Sequence, residues 1–228
     1  MKMLILIPPS EGKSSINTTS TKFKETEFIF SEKVNQIIEI LKDHNDEIEK
    51  IYGTSLEKSK ELQKKNLEVF SSECSMAIER YTGVVYNQID WKNFSEESKS
   101  YFNSNIRIFS GLFGIVKPNT LIPNYKLKMN ALGLTKFWSQ SISEELGKEE
   151  LIIDLLPEIH RKAYEHKNIK KINFYIKKED KLVSAGHHGK VVKGQFINFL
   201  SINRISNLDD FEKFNYDDYS WDGENFIK

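Results

Sequence analysis

A segment rich in glycine and proline, residues 110–129, constrains the fold more than any other part of this 228-residue chain. Its sequence, SGLFGIVKPNTLIPNYKLKM, places Gly111, Gly114, Pro118 and Pro123 at short intervals. Glycine and proline bend the backbone at fixed positions, so the segment does not fit one continuous helix or strand. We therefore predict a bent segment around which the rest of the chain is organised.

The same segment lies within a long stretch that has no acidic residue. Residues 98–143 contain no Asp or Glu, although the chain has 33 acids among 228 residues, and that average predicts about 7 in such a stretch. Its basic residues are Lys99, Arg107, Lys117, Lys126, Lys128 and Lys136. Two interpretations stay open: a surface for an anionic partner, and a solvated loop whose acids lie elsewhere.

A second acid-free stretch covers residues 181–208, and an acidic tail from Asp209 onward balances the charge. The formal net charge of the chain is zero. Because the two signs are segregated along the sequence, a neutral total is compatible with a local basic cleft.

The composition favours one soluble globular domain. Hydrophobic residues make up 39% and charged residues 29% of the chain, and we find no repeat or linker. The apolar start, residues 3–7, is too short for a signal peptide or a membrane span, so we expect a cytoplasmic protein without a membrane partner. The single cysteine, Cys74, excludes an internal disulfide framework and a cysteine-rich metal site.

Local patterns predict a mixed α/β domain over residues 1–228. The predicted strands are residues 3–7, 106–109 and 151–155, with a hairpin formed by 169–176 and 182–185. The predicted helices are residues 31–51, one that Thr54 and Glu57 cap, 71–81, one that Ser95 caps, 135–146, 158–166 and one from Gly189 to about residue 203. An apolar stripe that includes Cys74 favours core packing over a reactive thiol for this residue.

Two places have the features of a phosphate-binding backbone. Gly12 and Lys13 follow the first strand as they would in a P-loop, but Ile7 occupies the position of its first glycine. A weaker prediction remains, in which amides near Gly12 hold a phosphate together with Lys13. The helix that starts at Gly189 would offer free amides beside Lys190 and Lys193, with ordinary capping by solvent as the alternative.

The evidence for a metal site is weaker. The adjacent His187 and His188 point to opposite sides of an extended segment, so they do not readily share one ion. His160 lies near Glu158 and Asp154 in the sequence, but without the spacing of a known zinc motif. We assign no metal and no cofactor.

Five motifs, taken in this order and spacing, resemble the YaaA family of peroxide-stress proteins. They are MLILIPPSEGK (residues 3–13), RYTGVVY (80–86), the glycine- and proline-rich segment (110–129), Phe137-Trp138, and HHGKVVKG (187–194). The chain departs from the family at Lys126 and Lys128, where Arg and Glu are usual.

This resemblance implies a protein that limits oxidative DNA damage under peroxide stress and is linked to lower free intracellular iron. It also implies a mixed sheet surrounded by helices in the YaaA-type fold, a positively charged cleft, a helix-hairpin-helix-like element and binding to the phosphate backbone of duplex DNA. By motif position, the phosphate-binding candidates are Lys13, Arg80, Lys117, Lys126, Lys190 and Lys193. The glycines expected to allow close backbone approach are Gly12, Gly83, Gly111, Gly114 and Gly194.

Two other functions stay open. An enzyme acting on a nucleic acid or a phosphorylated small molecule would use the same cleft, with Glu11, Lys13 and Tyr81 as its polar groups. An iron- or haem-handling protein would use His187 and His188.

Overall fold

The computed structural model describes residues 3–16 and 18–228 and shows a mixed α/β architecture. Over these residues the strands are β1 Met3–Ile7, β2 Cys74–Met76, β3 Ile106–Ser110, β4 Gly114–Val116, β5 Leu121–Pro123, β6 Leu151–Asp154, β7 Ile169–Lys171, β8 Phe174–Lys178, β9 Lys181–Ser184, β10 Ser220–Trp221 and β11 Phe226–Ile227. The α-helices are α1 Ser31–Asp43, α2 Ile48–Tyr52, α3 Leu56–Leu67, α4 Ala77–Arg80, α5 Glu96–Asn105, α6 Leu134–Leu146, α7 Glu158–Arg161 and α8 Gly186–Ile202. Within these same ranges, no helix combines the length and the apolar character needed to cross a bilayer.

A five-stranded sheet in the order β4-β3-β1-β6-β7 forms the centre of the molecule. Strands β3, β1, β6 and β7 are parallel, and β4 returns antiparallel to β3. All five residues of β1 are buried, as expected for an apolar strand with a neighbour on each side and a covered sheet on both faces. The predicted strands 3–7, 106–109 and 151–155 are confirmed.

The order of the strands creates a crevice at one end of this sheet. The next parallel strand after β1 lies on one side of it, whereas β6 and then β7 lie on the other side. The connections from β1 and β6 therefore leave in opposite directions. In open α/β sheets, the carboxyl ends of two such strands enclose the usual ligand-binding crevice.

A second sheet, in the order β10-β11-β8-β9, packs against α8. Phenylalanine rings fill this contact: Phe226 stacks on Phe174 at 5.5 Å between ring centroids and meets Phe196 of α8 at 4.7 Å. The predicted hairpin is confirmed in part, as β8 and β9. Its predicted first strand, residues 169–176, is divided, because Ile169–Lys171 pairs with β6 in the central sheet instead. The packing fixes α8 beside the crevice.

The prediction of a helix over residues 71–81 was wrong. Cys74–Met76 forms a strand that pairs antiparallel with Leu121–Pro123, and Ala77–Arg80 is the only α-helical part of that stretch. The short apolar stripe fits a helix or a strand, and pairing with the strand Leu121–Pro123 of the bent segment makes it a strand. The predicted core packing of Cys74 is confirmed, since the residue is fully buried.

Helix ends were predicted with mixed success. The expected helix over residues 31–51 is divided into α1 and α2, and Gly53 ends α2 with a φ of +66°. The capping box of Thr54 and Glu57 is not formed, because α3 begins after Ser55 without a side-chain cap. The cap at Ser95 is confirmed, since its Oγ accepts a hydrogen bond from the Ser98 amide at 3.2 Å.

Candidate functional site

A cleft of about 1000 Å³ opens at the carboxyl ends of β1 and β6. Its walls come from the loop after β1 (residues 8–13), the end of the bent segment (125–130), the chain after β6 (156–161) and the first turns of α8. The cleft therefore lies at the crevice that the strand order creates. Its volume is in the range of small-ligand sites.

Basic side chains outnumber acidic ones along this cleft. Among the described residues, the basic ones in its lining are Lys13, Lys126, Lys128, Arg161, Lys190 and Lys193, and the acidic ones are Glu11 and Glu158. The structure thus brings together four of the six predicted phosphate-binding residues: Lys13, Lys126, Lys190 and Lys193.

The amine of Lys13 lies between two tyrosine rings on one wall of the cleft. Its Nζ is 4.1 Å from the centroid of the Tyr125 ring and 5.2 Å from that of Tyr81. It donates a hydrogen bond to the carbonyl oxygen of Ser10 at 3.0 Å. Burial, together with the positive charge of Lys126, lowers the pKa of Lys13 to about 7. Near neutral pH about half of these amines are therefore uncharged.

A chain of hydroxyl groups continues behind the same wall. The Tyr125 hydroxyl lies 2.6 Å from the Tyr81 hydroxyl and 2.7 Å from Ser110 Oγ. Ser110 Oγ also accepts a hydrogen bond from the Phe113 amide. Burial raises the pKa of Tyr125 to about 12. Both tyrosines therefore stay protonated at neutral pH, and their hydroxyls hold each other in place.

Glu11 pairs with two lysines at the mouth of the cleft. Its carboxylate lies 2.6 Å from Lys126 Nζ and 3.3 Å from Lys128 Nζ. The hydrogen bond from Lys126 is the main cause that lowers the pKa of Glu11. Buried Asn66 fixes the irregular segment that carries Lys126, since it exchanges two hydrogen bonds with the Lys126 backbone at 2.8 and 2.9 Å. The nearby carboxylate is thus engaged by these two lysines.

Helix α8 brings a second buried amine to the cleft. Lys193 Nζ donates a hydrogen bond to the carbonyl oxygen of Leu155, just after β6. Burial is the largest cause that lowers the pKa of Lys193 to about 8. Behind it, Arg161 Nε donates to Oδ2 of the fully buried Asp154 at 3.1 Å, and the Leu156 amide donates to Asp154 Oδ1. This ion pair fixes the loop that presents Leu155.

His160 lines the same cleft as a neutral imidazole. Burial, with the charge of Lys193, lowers its pKa to about 4. Its Nδ1 is buried without a hydrogen-bond partner in the described structure, and its ring meets Phe109 edge-on at 6.2 Å. Asp154 and Glu158 are close to His160 in the sequence, but in the structure both carboxylates form ion pairs with Arg161.

Arg80 and Lys117 do not line the cleft. Only 1% of Arg80 is exposed, and its guanidinium donates to the carbonyl oxygens of Ser14, Glu73 and Ile122. These contacts hold the chain after β1 against α4. Lys117 lies exposed on the bent segment. The structure therefore gives Arg80 an internal role and leaves Lys117 apart from the other predicted residues.

Two of the predicted glycines allow the loop after β1 to lie close to residues 82–83, and one of them, Gly83, lines the cleft. Gly83 has a φ of +110°, and a Cβ there would stand 2.9 Å from Ser10 Oγ. A Cβ on Gly12 would stand 2.7 Å from Thr82 Oγ1. Both positions hold the loop after β1 against residues 82–83.

The other three predicted glycines serve packing. A Cβ on Gly111 would overlap the backbone of residues 127–129, and one on Gly114 would meet the Trp138 ring at 2.8 Å. Gly194 lets α8 approach the Val85 carbonyl oxygen, where a Cβ would stand 2.4 Å away. These contacts explain why the bent segment and α8 carry glycine at these places.

The histidine pair is not gathered into a metal site. His188 Nε2 lies 2.6 Å from Asp217 Oδ2, and Lys228 binds the other oxygen of that carboxylate at 2.9 Å. Within residues 3–16 and 18–228, no three His, Cys, Asp or Glu side chains are grouped so that they could hold an ion.

Sequence reasoning did not select Lys128, Tyr125 or Arg161, which the structure places at the cleft. Lys128 and Tyr125 lie in the same acid-free segment as Lys126, so that segment contained the signal for them. Arg161 had no signal, since its position depends on the buried Asp154.

Comparisons with known proteins agree over nearly the whole chain. A family model described as "Peroxide stress protein YaaA" matches residues 3–225. A UPF0246 protein of Fusobacterium nucleatum is 31% identical over 99% of this chain and 98% of its own length. A UPF0246 protein of Malacoplasma penetrans is 31% identical over 91% of both chains, and an uncharacterized protein of Campylobacter jejuni is 29% identical over 90% of this chain and 87% of its own.

Proposed function

The chain belongs to the family of the peroxide stress protein YaaA, and we propose that it protects DNA from peroxide by binding the phosphate backbone at its cleft. In this proposal the protein acts in the cytoplasm on duplex DNA. The supporting observation is that four predicted lysines from three separate parts of the sequence meet along one cleft, where Lys128 and Arg161 join them.

The charges of the cleft favour an anion over other ligands. The amines of Lys13 and Lys193 donate to backbone carbonyl oxygens. Both pay a desolvation cost, which their lowered pKa values report. A phosphate oxygen beside either amine would supply the missing opposite charge.

The size of the cleft sets how DNA would bind. About 1000 Å³ accommodates a nucleotide-sized ligand but not a duplex, whose diameter far exceeds such a cavity. The duplex backbone would therefore lie across the mouth, near the exposed Lys190 and Lys128. Such contacts carry no sequence information, so binding would be largely independent of sequence.

One helix pair fits the helix-hairpin-helix element that the family resemblance implies. Helices α2 and α3 pack together and are joined by a tight turn in which Gly53 has a φ of +66°. The lysines Lys58, Lys60, Lys64 and Lys65 follow on α3. We assign this pair as the second DNA contact of the proposal.

The resemblance also links the family to lower free intracellular iron. Metal analysis of the purified protein tests whether this chain binds iron directly.

Salt titrations of DNA binding test the proposal. Wild type should lose affinity steeply with salt, with log K falling by about 0.9 per log unit of salt for each phosphate neutralised. A Lys126→Ala/Lys190→Ala double variant should bind more weakly and with a slope smaller by up to about 2. The matched control is Lys117→Ala/Lys136→Ala, which removes two exposed charges outside the cleft and should bind like wild type.

A denaturing gel of the same samples separates binding from catalysis. Intact DNA with salt-dependent binding supports the proposal, and binding that salt does not weaken contradicts it. An equal loss of DNA affinity in both double variants would show that the cleft is not the DNA-binding site.

The second candidate is an enzyme that acts on a nucleic acid or a phosphorylated small molecule in the same cleft. The observation that favours it is the half-neutral amine of Lys13 beside the linked hydroxyls of Tyr81 and Tyr125. Product formation that disappears in Lys13→Ala would favour this candidate.

A further inference from the structure

Lys13 differs from Lys126 and Lys128 in its surroundings. Lys126 and Lys128 share the carboxylate of Glu11, whereas Lys13 forms no ion pair within the described structure. Its amine has the Ser10 carbonyl as hydrogen-bond acceptor and otherwise faces the Tyr81 and Tyr125 rings. The amine lies on the wall of an open cleft, so a ligand can reach it.

These surroundings also set the protonation of the amine. Burial lowers the pKa of Lys13 most, and the charge of Lys126 lowers it further. The charge of Glu11 raises this pKa, but by less than burial and Lys126 lower it. A neutral lysine amine in a poorly hydrated pocket is a good nucleophile toward carbonyl carbon.

We infer that Lys13 is the nucleophile of an imine-forming site that takes an aldehyde or ketone bearing a phosphate group. This inference rests on the second candidate function and names its chemistry. Lys13 supplies the nucleophile in the lining of the cleft, and Lys190 and Lys193 of α8, which line the same cleft, supply the phosphate contacts.

The reaction consists of two steps. The nitrogen lone pair of Lys13 attacks the carbonyl carbon, a C–N bond forms while the C=O π bond breaks, and a proton passes from nitrogen to oxygen to give a carbinolamine. The C–O bond then breaks, and the hydroxyl group leaves as water with the remaining N–H proton while the C=N bond forms, so that amine and carbonyl yield imine and one water. The two tyrosine rings limit the access of bulk water to this position, which favours the imine over its hydrolysis.

Two sources could supply such a carbonyl, and a trapping experiment distinguishes them. One probe is a DNA duplex with a single abasic site, whose sugar opens to an aldehyde, and the other is glyceraldehyde 3-phosphate. Sodium cyanoborohydride delivers hydride to the imine carbon and leaves a stable secondary amine. We expect a covalent adduct with at least one probe, located at Lys13 by peptide mapping, and an intact duplex without the abasic site should give none.

Variants and pH give independent readouts. Lys13→Arg keeps the positive charge but not a neutral amine, and should reduce trapping at least tenfold. In wild type, the initial rate should rise about tenfold from pH 6 to pH 8 and then level off, because the amine titrates near pH 7. An ordinary surface lysine would continue to gain about tenfold per pH unit.

The position of the adduct and the effect of the variant decide whether Lys13 is the nucleophile. Mapping of the wild-type adduct does not depend on whether a variant folds. An adduct at Lys193 or at surface lysines, trapping undiminished in Lys13→Arg, or no adduct with either probe while DNA binding is normal would each overturn the inference. Loss of DNA binding with retained trapping would instead contradict the DNA-binding proposal.

Discussion

At the scale of single residues, the lysines of this cleft fall into two groups. Lys126 and Lys128 have a carboxylate partner in Glu11, whereas Lys13 and Lys193 face carbonyl oxygens and have strongly lowered pKa values. Unpaired buried amines reduce stability unless a ligand neutralises them. Their presence is therefore evidence for a binding or catalytic function at this place.

The single cysteine is a second residue whose surroundings decide its chemistry. Cys74 is fully buried, and burial raises the pKa of its thiol to about 11. Because the thiolate is the form that attacks peroxide, we expect no oxidation of the folded protein by about 1 mM hydrogen peroxide over minutes, measured by intact mass. Cys74→Ala should lower the free energy of unfolding by about 1 kcal/mol and leave DNA affinity unchanged.

The control for this prediction is the same protein unfolded in urea, where the thiol is exposed and should oxidise readily. Rapid oxidation of folded wild type, absent in Cys74→Ala, would make Cys74 a peroxide sensor and contradict the prediction.

Residue type alone could not separate ligand-facing from internal basic residues. Lys13 and Arg80 both lie in motifs of the family, and both were predicted to bind phosphate. The structure turns Lys13 toward the cleft and Arg80 toward three backbone carbonyls. The acceptors of Arg80 come from distant parts of the chain, so no local pattern indicated them.

At the scale of elements, α8 holds the cleft together because it packs closely on the chain that follows Gly83. Gly194 of α8 faces the Val85 carbonyl and the Gln88 side chain. The preceding residue, Lys193, donates a hydrogen bond to the carbonyl oxygen of Leu155. A change in the distance between α8 and this chain would therefore move Lys193 relative to the cleft.

Gly194→Ala tests this role of α8. The added methyl group would stand 2.4 Å from the Val85 carbonyl oxygen, so α8 has to shift, and we expect a loss of about 1–3 kcal/mol in the free energy of unfolding. Urea denaturation measures that loss, and DNA affinity should fall with it. Gly189→Ala on the same helix is the control.

In the control variant the new methyl group meets Ala185 Cβ at 3.1 Å, and the higher helix propensity of alanine offsets part of the cost. Its stability should stay within about 0.5–1 kcal/mol of wild type. Equal stability of the two variants would show that the contact at Val85 is not tight.

The elements that the sequence predicted well are those whose signal is local. The apolar run of β1, the periodicity of α6 and the cap at Ser95 each lie within a few residues, and the structure confirms them. The strand Cys74–Met76 was missed because pairing with Leu121–Pro123 determines it. The break between α1 and α2 was missed because the apolar face continues through it.

At the scale of the whole molecule, the cleft collects three bases whose folded pKa lies below the unfolded value. They are His160 at about 4, Lys13 at about 7 and Lys193 at about 8, and burial is the largest cause in each case. Between its folded and unfolded pKa, each group binds fewer protons in the native state than in the unfolded state. Stability therefore rises with pH through each of these windows.

Lys193 offers the clearest window, from about pH 8 to about pH 10.5. Below pH 8 the full penalty for the charged amine is present, about 3 kcal/mol at 1.36 kcal/mol per pKa unit, and it is the net effect of burial and of the charges of Arg161, Asp154 and Lys190. Lys193→Met removes that penalty and also a hydrogen bond worth about 1 kcal/mol. We therefore expect the variant to be about 1–2 kcal/mol more stable than wild type near pH 7, and this advantage to disappear as the pH approaches 10.5.

Urea denaturation of both proteins at several pH values between 6 and 10 measures this difference, and groups that titrate alike in the two proteins cancel. Inorganic phosphate extends the test to function, because an anion bound beside Lys193 relieves the same penalty. Phosphate should therefore stabilise wild type at pH 7 more than Lys193→Met. A variant that is less stable than wild type at every pH would show that the charged amine of Lys193 carries no net penalty in the protein. This result would contradict the inference that an anionic ligand is needed to neutralise it.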